Sequence, residues 1–487
     1  MPRRHNQHGN NAGRRNARTD RARTKGRDKL GRPKQKYRPR YGDAMDGVVE
    51  RLGDFGDGIV QPLKDGEAAN GNTVFVPGCL PGETIRFNPL IDPRNPDQPT
   101  DGRIMEVLEP SSDRVDAACQ HFGDCGGCRL QHVAPQAIGD FKAQRLRQAL
   151  SQKGLDPELV KPTEAAWGAA AADAGARRRM EFTLRNDGSH VRLGLHRHRS
   201  KVIVDLAECP VADPAISGQL EDIRAFAKAT LWSGEAADLH ITSCDNGLDL
   251  VLTRSRSPSL DERQDWPSII EAHDWARLSW RPDHQTPPET VIARREPIIS
   301  VEGIPVPLPP GGFIQATTAG QAALIRHLLG ALDQYGVKTD APVIDLFSGM
   351  GTFTIPMAVR GHRVHAVDGN GDALQALQAA AGQRFASRVK VEQRDLFQHP
   401  LEDDLPKDTA AVILDPPRAG CQMQATALAE REVPLIIMIS CNPVTFARDA
   451  GILVEGGYHI GQVQPIDQFQ WSPETELIAT FSRNPHQ

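Results

Sequence analysis

The sequence predicts an α/β protein: a doubly wound, mostly parallel sheet at the C-terminal end, preceded by a small β-barrel and a central mixed α+β region. Three observations predict it. From about Gly311 onward, "APVIDLF", "HRVHAVD", "RVKVEQRD", "TAAVILDPPR" and "VPLIIMIS" read as strands, with "TFTIPMAVR", "GDALQALQAAAG" and "MQATALAER" as helices among them. That alternation builds parallel sheets with helical crossovers. Residues 41 to 109 instead hold short alternating runs such as "DGVVERLGDFGDGIVQP" and "NTVFVPGCLPGETIRFNPL", broken by Gly, Pro and Asp, the pattern of a small barrel. Residues 177 to 310 contain strand-rich stretches ("RRRMEFTLRN", "LDLVLTRS") joined by Pro- and Ser-rich connections, with no internal repeat.

A chain of 487 residues is too long for one ordinary core, so two to four domains are expected. With 39% hydrophobic and 24% charged residues the composition is that of a soluble globular protein. No apolar run approaches the roughly 18 residues of a membrane helix, and the basic N-terminus lacks the apolar segment of a signal peptide, so a cytoplasmic protein without membrane contact is expected. The charge is uneven. Residues 1 to 40 hold fifteen Lys or Arg against two Asp, a net of +13, which leaves −18 for the remainder of a chain whose overall charge is −5. Such a segment reads as a disordered basic arm, either a solubilising tail or, the preferred reading, a nucleic-acid-binding one that adds salt-dependent affinity without reading sequence.

The segment from 41 to 109 fits an OB-like barrel, a fold used both as an oligonucleotide binder and as a purely structural module. The eight cysteines stand at 79, 119, 125, 128, 209, 244, 421 and 441. In a reducing compartment they form no disulfide framework. Three of them crowd into "CQHFGDCGGC", which points to metal binding; a helix from Pro135 to about Lys153 follows. Four thiolates can hold zinc or an iron–sulfur cluster, and spacing alone does not separate the two.

The first strand of the C-terminal region runs into "DLFSGMGTF". Gly349 and Gly351 permit a tight turn against a ligand at a helix start, and Asp368 stands nineteen residues after Gly349 at the end of the next strand, where an acid suits ribose hydroxyls. Ile355 occupies the place of a third glycine, so S-adenosylmethionine fits better than a dinucleotide, with a structural glycine turn as the plain alternative. The strand "VPLIIMIS" ends on Cys441 just before Asn442 and Pro443. This cysteine is either a small buried hydrophobe or a nucleophile at the carboxyl edge of a sheet, where open α/β folds place their chemistry.

In order along the chain, "CQHFGDCGGC", "DLFSGMGTF", "LDPPRAG" and "ISCNPVTFARD" resemble the RNA uracil-5-methyltransferases, and within them the 23S ribosomal RNA branch that carries a TRAM barrel and a [4Fe–4S] cluster. The likeness runs from about residue 41 to 485. It implies four regions: a basic arm at 1–40, a TRAM barrel at 41–109, an iron–sulfur domain at 110–310 and a methyltransferase domain at 311–487. By the same resemblance the cluster ligands are Cys119, Cys125, Cys128 and Cys209, and the S-adenosylmethionine site comprises Gln315, Phe347, Gly349, Gly351, Thr352, Asp368, Asp395 and Asp415. Cys441 is then the nucleophile and Glu476 the base, the substrate a uridine of 23S rRNA, and the protein a monomer. Transfer RNA as substrate, or an RNA-binding protein without catalysis, are the alternatives. Cys79, Cys244 and Cys421 remain plain core or loop residues. The chain departs from the family at Ser348 (usually Cys), Thr352 (often Asn), Asp368 (often Glu) and Glu474, where the family has His. If "PETEL" is extended, Glu474 and Glu476 share a face, which makes Glu474 the rival base.

Uracil C5 is too weak a nucleophile to take a methyl group unaided. Thiolate addition at C6 makes an enolate with electron density on C5, so the reaction requires a cysteine that can be deprotonated and a base for the C5 proton.

Overall fold

The computed structural model describes residues 40–64, 67–68, 73–92, 99–167, 175–382, 384–402 and 404–484. The basic arm, apart from Arg40, lies outside the described residues. The chain divides into two compact units, Gly58–Glu109 with the chain up to Arg51, and Pro110–Gln487 with Leu52–Asp57.

The smaller unit is a closed five-stranded barrel. Thr84–Ile91 pairs antiparallel with both Met45–Leu52 and Asp101–Glu109. Gly58–Lys64 lies beside Met45–Leu52 and pairs with Val74–Val76, whose parallel contact with Asp101 closes the ring. The alternation in the sequence is the reason: Val49, Val60, Val74, Val76, Ile85 and Phe87 fill the interior together with Cys79. Cys79 is thus the plain core residue expected of it.

In the larger unit, residues 179 to 293 form a seven-stranded sheet in the order 203–205, 191–196, 179–186, 236–244, 247–253, 277–281, 289–293. The helices Leu220–Thr230 and Leu260–Ala272 cover one face, with Phe226, Trp266 and Trp275 in edge-on ring contacts. Among its buried members is Cys209.

The third sheet carries the site. Its order is 389–393, 363–368, 342–346, 411–414, 435–440, 476–482, 459–467, 164–165. The first five strands are parallel, and Glu476–Ser482 is inserted antiparallel beside Leu435–Ser440. Strand Leu435–Ser440 is buried on both faces. Ile437 and Ile439 pack with Leu324, Leu328, Ile355 and Leu377 on one side, whereas Ile436 and Met438 pack with Leu428, Phe446 and Leu453 on the other. Continuous apolar strands of this kind require helices on both faces. Strand order reverses between 342–346 and 411–414, the switch point at which doubly wound sheets open a crevice.

Helix Pro135–Ser151 precedes the central sheet in sequence but packs against this third one, through Ala143, Leu146 and Leu150. Its Lys142, fully buried, donates to Asp467 Oδ1 at 2.5 Å and to the Phe469 carbonyl at 3.2 Å. Removing one partner of a buried pair strands the other charge. Lys142→Met is therefore expected to destabilise the larger unit by about 3–5 kcal/mol, read as a lowered urea midpoint, and adding Asp467→Asn should recover part of that loss. Among the described residues no helix is long and apolar enough to cross a membrane.

Candidate active site and cysteine cavity

Gln315 lies in the loop before helix Thr318–Gln334, and the other C-terminal site residues singled out from the sequence lie at one edge of the third sheet. The turn Phe347–Thr352 follows strand Pro342–Leu346, and Asp368 ends Arg363–Asp368. Asp395 lies just beyond Val389–Gln393, Asp415 just beyond Ala411–Leu414 and Cys441 just beyond Leu435–Ser440. Glu476 opens the antiparallel strand, so its start meets the same edge.

The turn is held open for a ligand. Phe347 has φ +63°, a left-handed conformation that costs a non-glycine residue about 1–3 kcal/mol. The amides of Phe347 and Ser348 hold it there by donating to the Val367 carbonyl. Gly351, at φ +91°, could not carry a side chain: a Cβ there would lie 2.4 Å from Leu377 Cδ1, whereas one on Gly349 would meet only open space. Asp368 ties the turn to the second strand, accepting from the Gly349 amide at 2.8 Å and the Asn370 amide at 2.7 Å. Thr352 is half-buried in the same turn. The carboxylate of Asp395 already accepts from the Phe397 amide at 3.0 Å and the Gln398 side chain at 2.8 Å. Phe397, 45% exposed, tilts toward Phe347 with ring centroids 5.6 Å apart. Asp415 is pushed up to about 7 by burial and by Asp345 and Asp368, so near neutral pH its carboxyl is available as donor or acceptor. An open glycine turn, a ribose-type acid and a flanking aromatic ring fit an adenosine cofactor.

Cys441 and Glu476 are brought together by strand register. Ser440 is the partner of Leu477 in the antiparallel pair, so the next residues outward, Cys441 and Glu476, face each other across the sheet end. Cys441 directly precedes the cap of helix Pro443–Glu455, where the Asn442 side chain accepts from the Val444 amide. A helix N-terminus favours a thiolate. The Asn442 amide and Thr445 hydroxyl both donate to the Arg418 carbonyl, at 3.1 and 3.2 Å, which holds Arg418 beside the thiol. Burial and the Glu476 charge push Cys441 up to about 12, and Arg418 opposes them. Glu476 is 4% exposed and is pushed up to about 8, first by burial and then by Asp415, against the Gln468 hydrogen bond.

Glu474 and Glu476 lie near one another, and both act on Arg418. Strand pairing begins at Glu476, and Glu474 lies two residues before it, ion-paired with Arg418. The sequence reading missed Gln468, whose amide links Glu476 to Gln315, and Arg178, which donates to the Gln315 carbonyl and to Gln321, at 3.1 Å each. The available signals were weak: an amide just ahead of "FQWSPETE", and an arginine at the entry to a strand.

The four thiols Cys119, Cys125, Cys128 and Cys209 line one cavity of about 240 Å³. Among the described residues, the only three ligand atoms within 4.8 Å of one another belong to Glu181, Asp238 and His284, so no three of these sulfurs are that close. Four thiols on one cavity are a donor set that suits either zinc or an iron–sulfur cluster. Burial, then neighbouring thiols, push Cys128 up to about 11 and Cys209 up to about 12, a cost that a bound cation reverses. The loop bearing the glutamates forms part of this wall. Gln470 and Ser472 line the cavity, and the amides of Arg129 and Leu130 both donate to the Trp471 carbonyl, at 2.9 and 3.0 Å.

The family described as tRNA (Uracil-5-)-methyltransferase matches residues 309–482. An RNA methyltransferase of Caulobacter vibrioides is 36% identical over 424 residues, 85% of this chain and 95% of the relative. The 23S rRNA (uracil(1939)-C(5))-methyltransferase RlmD of Halomonas elongata is 32% identical, with 84% of each chain covered. Among solved structures, the Pyrococcus abyssi tRNA (uracil-54, C5)-methyltransferase in complex with S-adenosyl-L-homocysteine shares the fold, with TM-score 0.66 and 22% identity over 90% of this chain and 99% of that one. Sheet order, glycine turn and relatives together define an S-adenosylmethionine-dependent methyltransferase. More narrowly, the chain belongs to the RNA (uracil-5-)-methyltransferase family, and its activity is methylation of uracil C5 in RNA.

Proposed function

We propose that the protein methylates one uridine of 23S ribosomal RNA through a covalent adduct between Cys441 and uracil C6. The carrying observation is the register that sets Cys441 against Glu476 at the sheet end; the relative from Halomonas elongata supports the choice of ribosomal RNA. Arg418 and the helix N-terminus favour the thiolate of Cys441 as its proton passes to solvent and sulfur bonds to C6. S-adenosylmethionine, held by Gln315, the 347–352 turn, Asp368, Asp395 and Asp415, supplies an electrophilic methyl group. Once C5 carries that methyl, the Glu476 carboxylate takes the C5 proton, the C5–C6 double bond re-forms and the thiolate departs. The base must reach a uridine out of its stack, and the Asp415 carboxyl would hydrogen-bond either the uracil edge or the cofactor. Tritium release from C5-labelled uridine in ribosomal and transfer RNA transcripts tests the reading: release from 23S transcripts is expected, and release from transfer RNA alone would overturn the choice of substrate.

In this reading the barrel is a TRAM module that grips RNA. The cysteine set holds a [4Fe–4S] cluster whose role is structural, because four thiolates leave no iron open for a substrate. Anaerobically purified protein is expected to be brown, with about four irons and four sulfides per chain. Colourless protein carrying stoichiometric zinc would refute it.

A further inference from the structure

We infer that Gln468 is a positioning residue for the reaction: its side-chain amide aims the Glu476 carboxylate at the substrate and keeps it available as a base. The inference rests on the reading of Glu476 as the base. Gln468 is 2% exposed, and its side chain makes three hydrogen bonds. Its Oε1 accepts from the Ala316 amide at 3.1 Å, while Nε2 donates to Gln315 Oε1 at 2.7 Å and to Glu476 Oε2 at 3.0 Å. The orientation is forced, because a backbone N–H can only donate; turning the amide over would set donor against donor at Ala316.

The surroundings lock the side chain in place. Asp467 and Phe469, on either side, are both bonded to Lys142, and the Phe469 amide donates back to Asp467 at 2.9 Å. Room for the amide is made by Gly320 on helix Thr318–Gln334: a Cβ there would sit 2.6 Å from both Gln468 Cβ and Oε1. The charged groups facing Glu476 are Asp415 and Glu474, which disfavour its ionised form, and Arg418, which favours it; the Cys441 thiol faces it from the neighbouring strand. Gln468 is the neutral donor that assists ionisation, and a neutral donor does so without adding a charge that would bind the cofactor or RNA elsewhere.

Removing that donor moves the base upward in pH. Single-turnover reactions of the full-length protein with C5-tritiated RNA, from about pH 6 to about pH 10, read adduct formation on denaturing gels and its resolution by tritium release. Gln468→Met is expected to form adduct normally and to resolve it about tenfold more slowly at neutral pH, with recovery about one pH unit higher. Gly320→Ala, which crowds the amide without touching Glu476, should shift the profile in the same direction by less. Glu476→Gln, run in parallel, should stall at every pH. If Gln468→Met resolves adduct at the parent rate and pH profile while Glu476→Gln stalls, the positioning role is wrong and the base stands. A Gln468→Met variant that only weakens cofactor binding, or forms no adduct, also overturns the role. If Glu476→Gln does not stall, the reading of the base fails, and the inference fails with it.

Discussion

Cys441→Ala is expected to abolish methylation, to below about 10⁻⁴ of the parent rate, and to leave no covalent RNA adduct on a denaturing gel. The size of the effect follows from the chemistry: without sulfur at C6 no electron density reaches C5, and no other residue at this edge can replace it. Glu476 and Asp415 are carboxyls with raised pKa values, about 8 and about 7, suited to moving protons rather than adding to a ring. S-adenosylmethionine affinity should be unchanged, since the glycine turn and Asp368 lie on other strands. Cys421→Ala is the informative control. That thiol is 2% exposed behind the same sheet, beside Asp449, so its loss should lower stability and still permit adduct formation. Full methylation by Cys441→Ala would end the covalent reading.

The pieces that short-range pattern can encode were legible in the sequence. Apolar runs such as "LIIMIS" bury both faces and so announce central parallel strands. The glycines of "SGMGT" announce a turn whose φ values only glycine tolerates easily. Cys441 was legible because a strand, a cysteine and an Asn-Pro cap in succession leave a thiol at a helix N-terminus. What stayed hidden is long-range. Lys142 reads as an ordinary helix-surface lysine until Asp467, 325 residues away, meets it in the core. The loop after Asp467 takes its shape from backbone bonds of Arg129 and Leu130 to the Trp471 carbonyl, and such bonds have no side-chain signature.

Glu476→Gln is expected to transfer a methyl group and then stall, bonded through Cys441 to methylated RNA, with turnover reduced by about 10²–10⁴-fold. The substitution keeps the shape of the side chain and removes only its capacity to take a proton, so attack by sulfur and methyl transfer proceed while the C5 proton stays. The pH dependence has a definite sign. Burial and the nearby Asp415 hold the Glu476 carboxyl up at about 8, against the Gln468 donor and Arg418. Below that pH the group is mostly protonated and cannot act as a base, so adduct resolution in the parent protein should rise as pH passes upward through about 8, whereas in Glu476→Gln it should stay low and flat. Glu474 separates from Glu476 in this experiment. It is partly exposed and paired with Arg418, which faces Cys441, so Glu474→Gln should disturb adduct formation rather than resolution. Exposed pairs contribute about 0–1 kcal/mol, which bounds that effect at about fivefold. Adduct trapped by Glu474→Gln and not by Glu476→Gln would reverse the assignment, because the residue whose loss strands the C5 proton is the one that removes it.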